Sequence, residues 1–526
     1  MPAEQIKGVL KHALQEVVVA SGGNALTKAD MQQLFGKTSP SGVADYDVAT
    51  DAAPAVSNQP ERGRIIFGDL VSEAVTVPSV QHRVQIDSET GASTLGMLMA
   101  VELVAPLGVS VCFAGALILF AEPARFGVIL LALNSAATRI SAVGAMKSAG
   151  FGEVEGLTFA CVGNTALMVV PVVPAAERLR LLLHIDRPFL INSGLLAANV
   201  FAGSPVIPGG AIKGALARKL ELCGMNPTTD TALSKLHFSH ATPQNWPERE
   251  IPLSIIANGQ MGAICVGDAL GPVAPVIGAR AGLFRGDWKA YHSDAVRAKT
   301  GIGEPPIFGR VSRAHVRITA ESQAADEGAL YFTEAVDPAG LPWQVTVDFG
   351  DVPVLERPRL FGALMAGLDG LGATGAHVTV QSDWADTVAE ERPRPDGTIA
   401  ITLETDGILA GYSDGIDAAS SYAAYWMRVL GATMLDFCAA QALRGGYLGN
   451  RFRLSTAYQP FLVTTAGAIF LVQGADRDRL RRYLRFGLPS PVIDGKPTDW
   501  LTCPYQPENG WGRIRADWQG LAGAMS

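Results

Sequence analysis

The sequence predicts an α+β fold of the ferredoxin-like type, with antiparallel sheets carrying helices on one face, repeated in tandem. Three observations predict it. A Pro- and Gly-containing loop that feeds an amphipathic helix occurs twice. A strand–loop–strand pattern aligns on a second copy of itself without gaps. A Gly-aromatic-Gly turn followed by a possible strand also occurs twice.

Size and composition bound the classes. The chain has 526 residues, 48% of them apolar and 17% charged, so it is a folded chain with room for about two to four domains. A net charge of −8 excludes a binder that holds nucleic acid over its whole surface, so any such site is a local basic groove. The six cysteines are scattered without a CxxC pair, which suggests neither a zinc ribbon nor a disulfide framework. A reducing, cytoplasmic setting is the simplest. No basic stretch followed by an apolar run opens the chain. The apolar stretch Val109 to Leu133 is interrupted by Glu122, Pro123 and Arg125. It reads as a buried strand from Val111 to Phe120, a turn at Ala121 to Ala124 and a buried helix, and no membrane span is expected.

Taken in order, the first element is Pro2 to Leu10, which matches Pro208 to Leu216 at the proline and at Ile6/Ile212, Lys7/Lys213, Gly8/Gly214 and Leu10/Leu216. In the second copy Ile212, Ala215, Leu216 and Leu220 share one helical face, while Lys213 and Lys219 lie off it. A Gly-rich loop at a helix N-terminus suits a phosphate, although a loop–helix junction that only packs has the same pattern. The next element is short: Ile66-Phe67-Gly68 and Ile307-Phe308-Gly309 each precede the strand–loop–strand. The aligned pair itself runs from Val84 to Glu102 and from Val316 to Glu334. Its identities are Val84/Val316, Ile86/Ile318, Glu89/Glu321, Ala92/Ala324, Gly96/Gly328, Leu98/Leu330 and Glu102/Glu334. The last pair is Gly150-Phe151-Gly152 and Gly510-Trp511-Gly512. The first copy spans residues 1–175, with Pro171 to Pro174 as a linker. The second spans 176–395 with an insertion at 243–305, and a third region spans 396–526.

These motifs in this order resemble the RAMP superfamily of CRISPR-associated proteins, and among them the backbone subunits of type III effector complexes. The carriers are Ile207 to Leu216, Phe67-Gly68-Asp69, His82 to Asp87 with Thr90-Gly91-Ala92, the Gly-rich turn Val143 to Gly152, Gln459-Pro460-Phe461 and Ala466 to Phe470. The resemblance implies RRM-like units that stack and grip guide RNA (crRNA) through its phosphates, with target RNA and other CRISPR effector subunits as partners. Backbone contact carries over to Lys7, Gly209, Gly210, Lys213, Lys147, Gly150 and Gly152, and His82 and Arg83 are placed to face RNA as well. In active relatives an aspartate just before the Pro-Gly stretch cuts target RNA. Here that loop, Asn192 to Ser204, holds no acid. Copy one lacks the strand that precedes this loop; a partner chain or the third region supplies it, or the start is truncated.

The leading reading is a non-catalytic RNA-binding subunit without a cofactor. One alternative is a ribonuclease that cuts target RNA or processes guide RNA; Asp45, Asp47 and Asp51 are then the candidate catalytic acids, with a divalent metal. Equally, they are the solvated face of a loop. Another alternative is an architectural subunit that contacts proteins through the insertion and the Arg-rich helix bearing Arg477, Arg479, Arg481, Arg482 and Arg485. That helix face and the patch of Arg444, Arg451 and Arg453 also fit RNA. His237 and His240 read as structural rather than metal-binding, and His12 as helix surface. Asp69 reads as a turn stabiliser. Phe151 and Trp511 are either base-stacking groups or core anchors.

Overall fold

The computed structural model describes all residues except 2, 24–25, 38–60, 75–77, 107, 145–146, 148–149, 164–175, 192–193, 198, 228, 261–262, 272–287, 319–324, 410–416, 445–459, 494, 501 and 522–526. Helices and antiparallel sheets alternate, an α+β arrangement. The described residues fall into two units, one within Met1–Asp45 and Pro60–Asn164, the other within Thr165–Ser526.

In the first unit, helices α1 (Ala3–Ala20), α2 (Lys28–Phe35) and α3 (Pro123–Ala137) pack on two short strands, β1 (Ile65–Phe67) and β4 (Leu117–Leu119). Ile6, Leu10 and Leu14 recur at helical spacing and form the buried stripe of α1. Thr27 and Asp30 cap α2 reciprocally, and Arg125 of α3 reaches Asp30 at 2.8 Å. Between β1 and β4 runs a hairpin of β2 (Ser79–Ile86) and β3 (Ser93–Leu103). The strand read at Val111 to Phe120 is confined to β4. Residues 112–116 are exposed, and Leu117 to Phe120 are half-buried. α3 is where the sequence puts it but is not fully buried, since Val128 and Leu131 face outward.

The second unit opens with β5 (Arg178–Ile185), β6 (Gly194–Ala197) and β7 (Val200–Ala202), then α4 (Gly209–Leu222) and β8 (His237–Phe238). The stretch Asn192 to Ser204, read as a loop, is thus largely a strand pair. A second hairpin follows, β9 (Arg310–Ile318) and β10 (Ala325–Val336), then β11 (Trp343–Asp348), α5 (Arg357–Met365) and β12 (Ala376–Ala385). The sheet order is β8-β11-β5-β12, extended by Leu368–Leu371. β5 alternates, with Leu179, Leu181, Leu183 and Ile185 inward. Those side chains pack with Ile212, Leu216 and Leu220 of α4 and Leu360 and Leu364 of α5, so both helices cover the same face.

The chain then repeats the plan with β13 (Ile399–Leu403), α6 (Ala418–Leu430), β14 (Thr433–Cys438), β15 (Ile469–Gln473), α7 (Arg477–Phe486) and β16 (Ile514–Arg515), in sheet order β14-β15-β13-β16. Every residue of β13 is buried. One face takes Tyr422 and Trp426 of α6 and Leu480 and Leu484 of α7. The other takes Ile255, Leu270, Val296 and Ile302, all from the 243–305 insertion, through Ala400, Ile469 and Trp518. Asp268, buried in the insertion, accepts Trp518 Nε1 at 2.9 Å. The insertion therefore shares a core with the sheet of the third region.

Candidate nucleic-acid interface

The first of the repeated loop–helix motifs is held by the segment after β1. Asp69 Oδ1 accepts from the Ala3 backbone N–H at 2.8 Å, and the Met1 amino group donates to the Leu70 carbonyl at 2.6 Å. Asp69 is therefore a helix cap, which its spacing from β1 did not reveal. Lys7 is half-buried on α1; burial lowers its ammonium pKa, Lys11 adds to this and Glu4 opposes it.

The Gly-rich turn ends the same unit. Gly150 and Gly152 both lie in the left-handed region, at φ of 85° and 67°. A Cβ on Gly152 would overlap the Val143 carbonyl oxygen, whose own N–H donates to the Gly152 carbonyl at 2.8 Å. Gly152 is thus obligatory. Gly150 donates to the carbonyl of Lys147, whose side chain is exposed. Phe151, between the glycines, lies under Arg83 of β2, the guanidinium carbon 5.2 Å from the ring centroid. The structure thus joins Arg83 to the turn that carries Lys147, Gly150 and Gly152. His82 alternates to the other face of the hairpin, with the exposed Val80 and Val84.

The second loop–helix motif is more enclosed. Gly209 is buried, and a Cβ there would lie 2.7 Å from the carbonyl oxygens of Asn509 and Ser239 and 2.8 Å from that of Phe238. Its N–H donates to His240 Nδ1 at 3.2 Å. Gly210 faces the Asn509 side chain at 3.4 Å. Packing between two backbone segments accounts for the paired glycines. Lys213, half-buried, donates Nζ to the Ser234 carbonyl at 3.0 Å; burial lowers its pKa to about 8, against the pull of Glu508. Lys219, off the apolar face by spacing, is nevertheless buried: its Nζ caps α5 by donating to the carbonyls of Ala366 at 2.9 Å and Gly367 at 2.5 Å.

Gly510 and Gly512 repeat the left-handed pair, at φ of 90° and 64°. Their aromatic, Trp511, meets His240 edge-on at 4.5 Å and Tyr505 at 4.7 Å, instead of an arginine. Burial, with Arg513 adding, lowers the His240 pKa to about 3, and burial with Lys213 lowers that of His237 to about 4. Neutral imidazole suits the acceptor role of His240 Nδ1. Among the described residues no group of three His, Cys, Asp or Glu side chains is placed to hold a metal.

The Arg-rich helix is partly committed to protein. Arg485 binds buried Asp348 at 2.7 and 2.8 Å and Glu177 at 2.9 Å. Arg178 and Arg180 meet Asp386 at 2.9 and 2.7 Å in the same network. Arg481 reaches Glu391 at 3.0 Å and Arg479 reaches Asp476 at 3.3 Å, while Arg477 and Arg482 are exposed. Arg444 lies 3.6 Å from Asp406; Arg451 and Arg453 lie outside the described residues, as do Asp45, Asp47 and Asp51.

The sequence reading missed the exposed apolar pairs on the two hairpins. Val84 faces Leu98 and Val316 faces Leu330 across the strands, and all four are exposed. The alternation of apolar residues along both strands was the available signal.

Comparison with known proteins adds the following. The model of the RAMP superfamily matches residues 1–155. Among solved structures, a chain of the type III-B Cmr-beta complex bound to cognate target RNA and AMPPnP is similar at a TM-score of 0.33 and 11% identity, covering 64% of this chain and 99% of that one. A chain of the Csm3–Csm4 subcomplex of the type III-A CRISPR-Cas interference complex gives a TM-score of 0.30 and 12% identity, covering 57% and 96%. No curated protein matches. The part of the chain that is similar to the RAMP superfamily model, residues 1–155, holds Lys7, Arg83 and the Gly-rich turn.

Proposed function

We propose that the chain is an RNA-binding subunit of a type III-like CRISPR effector complex, built from tandem ferredoxin-like RAMP units that occupy residues 1–175, 176–395 and 396–526. The orders β8-β11-β5-β12 and β14-β15-β13-β16 support the tandem reading. In each, the first strand lies between the third and the fourth, and both helices pack on the inward face. The free cysteines Cys112, Cys161, Cys223, Cys438 and Cys503 fit a reducing compartment such as the cytoplasm.

The observation that carries the RNA reading is the meeting of Arg83, Phe151 and the Lys147-bearing turn inside the segment that matches the RAMP superfamily. A cation over an aromatic ring beside an exposed lysine gives a place for a phosphate and for a base. Guide RNA and the guide–target duplex would be held by backbone contacts, and base pairing would carry specificity. The test is retention of guide RNA at low salt by the purified complex, with wild-type chain and with Arg83→Glu plus Lys147→Glu. Retention by wild type and a loss of about tenfold or more in the variant is the expected result. Equal retention by both would sink this interface.

A further inference from the structure

The ten residues of α7 hold five arginines and one acid, in a chain whose net charge is −8. Only Arg485 turns inward, to Asp348 and Glu177. Arg477, Arg479, Arg481 and Arg482 are exposed. Arg479 pairs with Asp476 at 3.3 Å, and Arg481 with Glu391 at 3.0 Å and Asp478 at 3.6 Å. Arg482 lies over the Phe486 ring at 6.0 Å, and neither it nor Arg477 forms an ion pair among the described residues. α6 packs beside α7 and adds the exposed Arg428, which lies over the Tyr425 ring at 5.5 Å. The helix layer of the third region thus presents five arginines to solvent.

Helix stability does not account for two of them. Asp476 caps α7, so Arg477 and Arg479 are its first and third residues. The first turn is the positive end of the helix dipole, where an acid stabilises and a cation does not. Asp478 obeys that rule, and Arg477 and Arg479 break it. A negative charge brought from outside would offset both.

The neighbourhood favours one kind of anion. The core of a protein–protein interface is depleted in charge and anchored by apolar or aromatic side chains. α7 exposes none: Leu480 and Leu484 are buried, and Tyr483 and Phe486 are half-buried. Arginine forks without an apolar anchor suit phosphates, which are held by charge and without sequence preference. The other face of the same sheet is closed, because Ile255, Leu270, Val296 and Ile302 of the insertion pack on Ala400, Ile469 and Trp518. A strand cannot lie across that face as it does on the open sheet of an RRM. We infer that the helix face of the third region binds an RNA strand through its phosphates, on Arg477, Arg479, Arg481, Arg482 and Arg428. This rests on the RNA-binding reading above and adds a contact separate from Arg83 and Lys147.

The probe is a polyuridine strand, titrated into the full chain at low salt. Arg477→Glu plus Arg482→Glu should weaken its binding by about tenfold or more. Lys28→Glu plus Lys299→Glu makes the same change in net charge at exposed positions elsewhere, and should stay within about twofold of wild type. Ultraviolet cross-linking of the wild-type chain to a thiouridine-containing strand should mark the peptide that carries Arg477 to Arg482, which needs no variant to fold. Equal losses in the two charge-reversed proteins would reduce the effect to net charge and overturn the inference. So would an α7 variant that binds polyuridine as wild type does but no longer holds the other subunits of the complex, since the face would then dock protein. If that variant and its cross-links are unaffected while Arg83→Glu plus Lys147→Glu loses binding, the RNA reading stands and this inference falls. A wild-type chain that binds no polyuridine at low salt overturns both.

Discussion

His240 shows at the level of one residue how packing decides what a motif does. From sequence it stood beside His237 as half of a possible metal pair. In the fold its Nδ1 accepts from Gly209, its Nε2 is buried without a partner, and Trp511 closes its ring face. The consequence is a pH dependence of defined sign. Burial, with Arg513, holds its pKa near 3, below the ordinary 6.5. Between those values the unfolded chain binds a proton that the folded chain refuses, so stability rises with pH from about 3 to about 6.5 and levels off above. His240→Asn keeps an acceptor for Gly209 but does not titrate. Chemical denaturation at pH 4.5 and 7.5 should show a smaller loss on acidification in the variant than in the wild type; His237, held near 4, sustains what remains. An equal loss in both proteins would mean that His240 is not the group refused. The glycines Gly209 and Gly210 were legible as a motif, but their reason was not, since Asn509 lies some three hundred residues away in sequence.

Elements were legible to different degrees. The gap-free match of Val84–Glu102 to Val316–Glu334 foretold two hairpins, and they form with one register because the same apolar alternation and the same turn spacing fix it. The left-handed conformations of Gly150, Gly152, Gly510 and Gly512 likewise follow from the sequence pattern. What α7 does was not legible. Its five arginines read as a basic face, yet Arg485 is spent on Asp348 and Glu177, and those partners are separated from it by a hundred residues or more. Asp348 is 1% exposed, so removing Arg485 leaves a buried carboxylate that keeps the Gly350 N–H at 2.8 Å and has Arg178 at 3.8 Å, without its bidentate partner. Arg485→Ala should destabilise the second unit by about 3–5 kcal/mol, as broken buried pairs do. Arg477→Ala, on the exposed face of the same helix, should stay within about 0.5 kcal/mol of wild type. Urea unfolding of the two variants decides this. Comparable losses would mean that the helix matters as a basic surface and not through its buried pair.

On the scale of the whole molecule, the net charge of −8 sets the terms on which RNA can be held. The chain as a whole repels a polyanion, so attraction must come from few cations acting at close range. Lys147 is exposed and Arg83 lies over Phe151 of the same turn, while Lys7 is half-buried and Lys213 already donates to Ser234. If all four neutralise one phosphate each, log affinity for single-stranded RNA should fall with log salt at a slope of about −3, and the double variant Arg83→Gln, Lys147→Gln should reduce that slope by about 1.4. Lys213→Gln alone should change it by less than either, because its ammonium is held by a carbonyl and its pKa is down at about 8. Titrations of guide RNA at four or so salt concentrations, on the assembled complex, measure all three slopes. A slope that the double variant leaves untouched would move the interface away from the hairpin and Gly-rich turn. A larger change with Lys213→Gln than with the pair would place it at the second loop–helix motif.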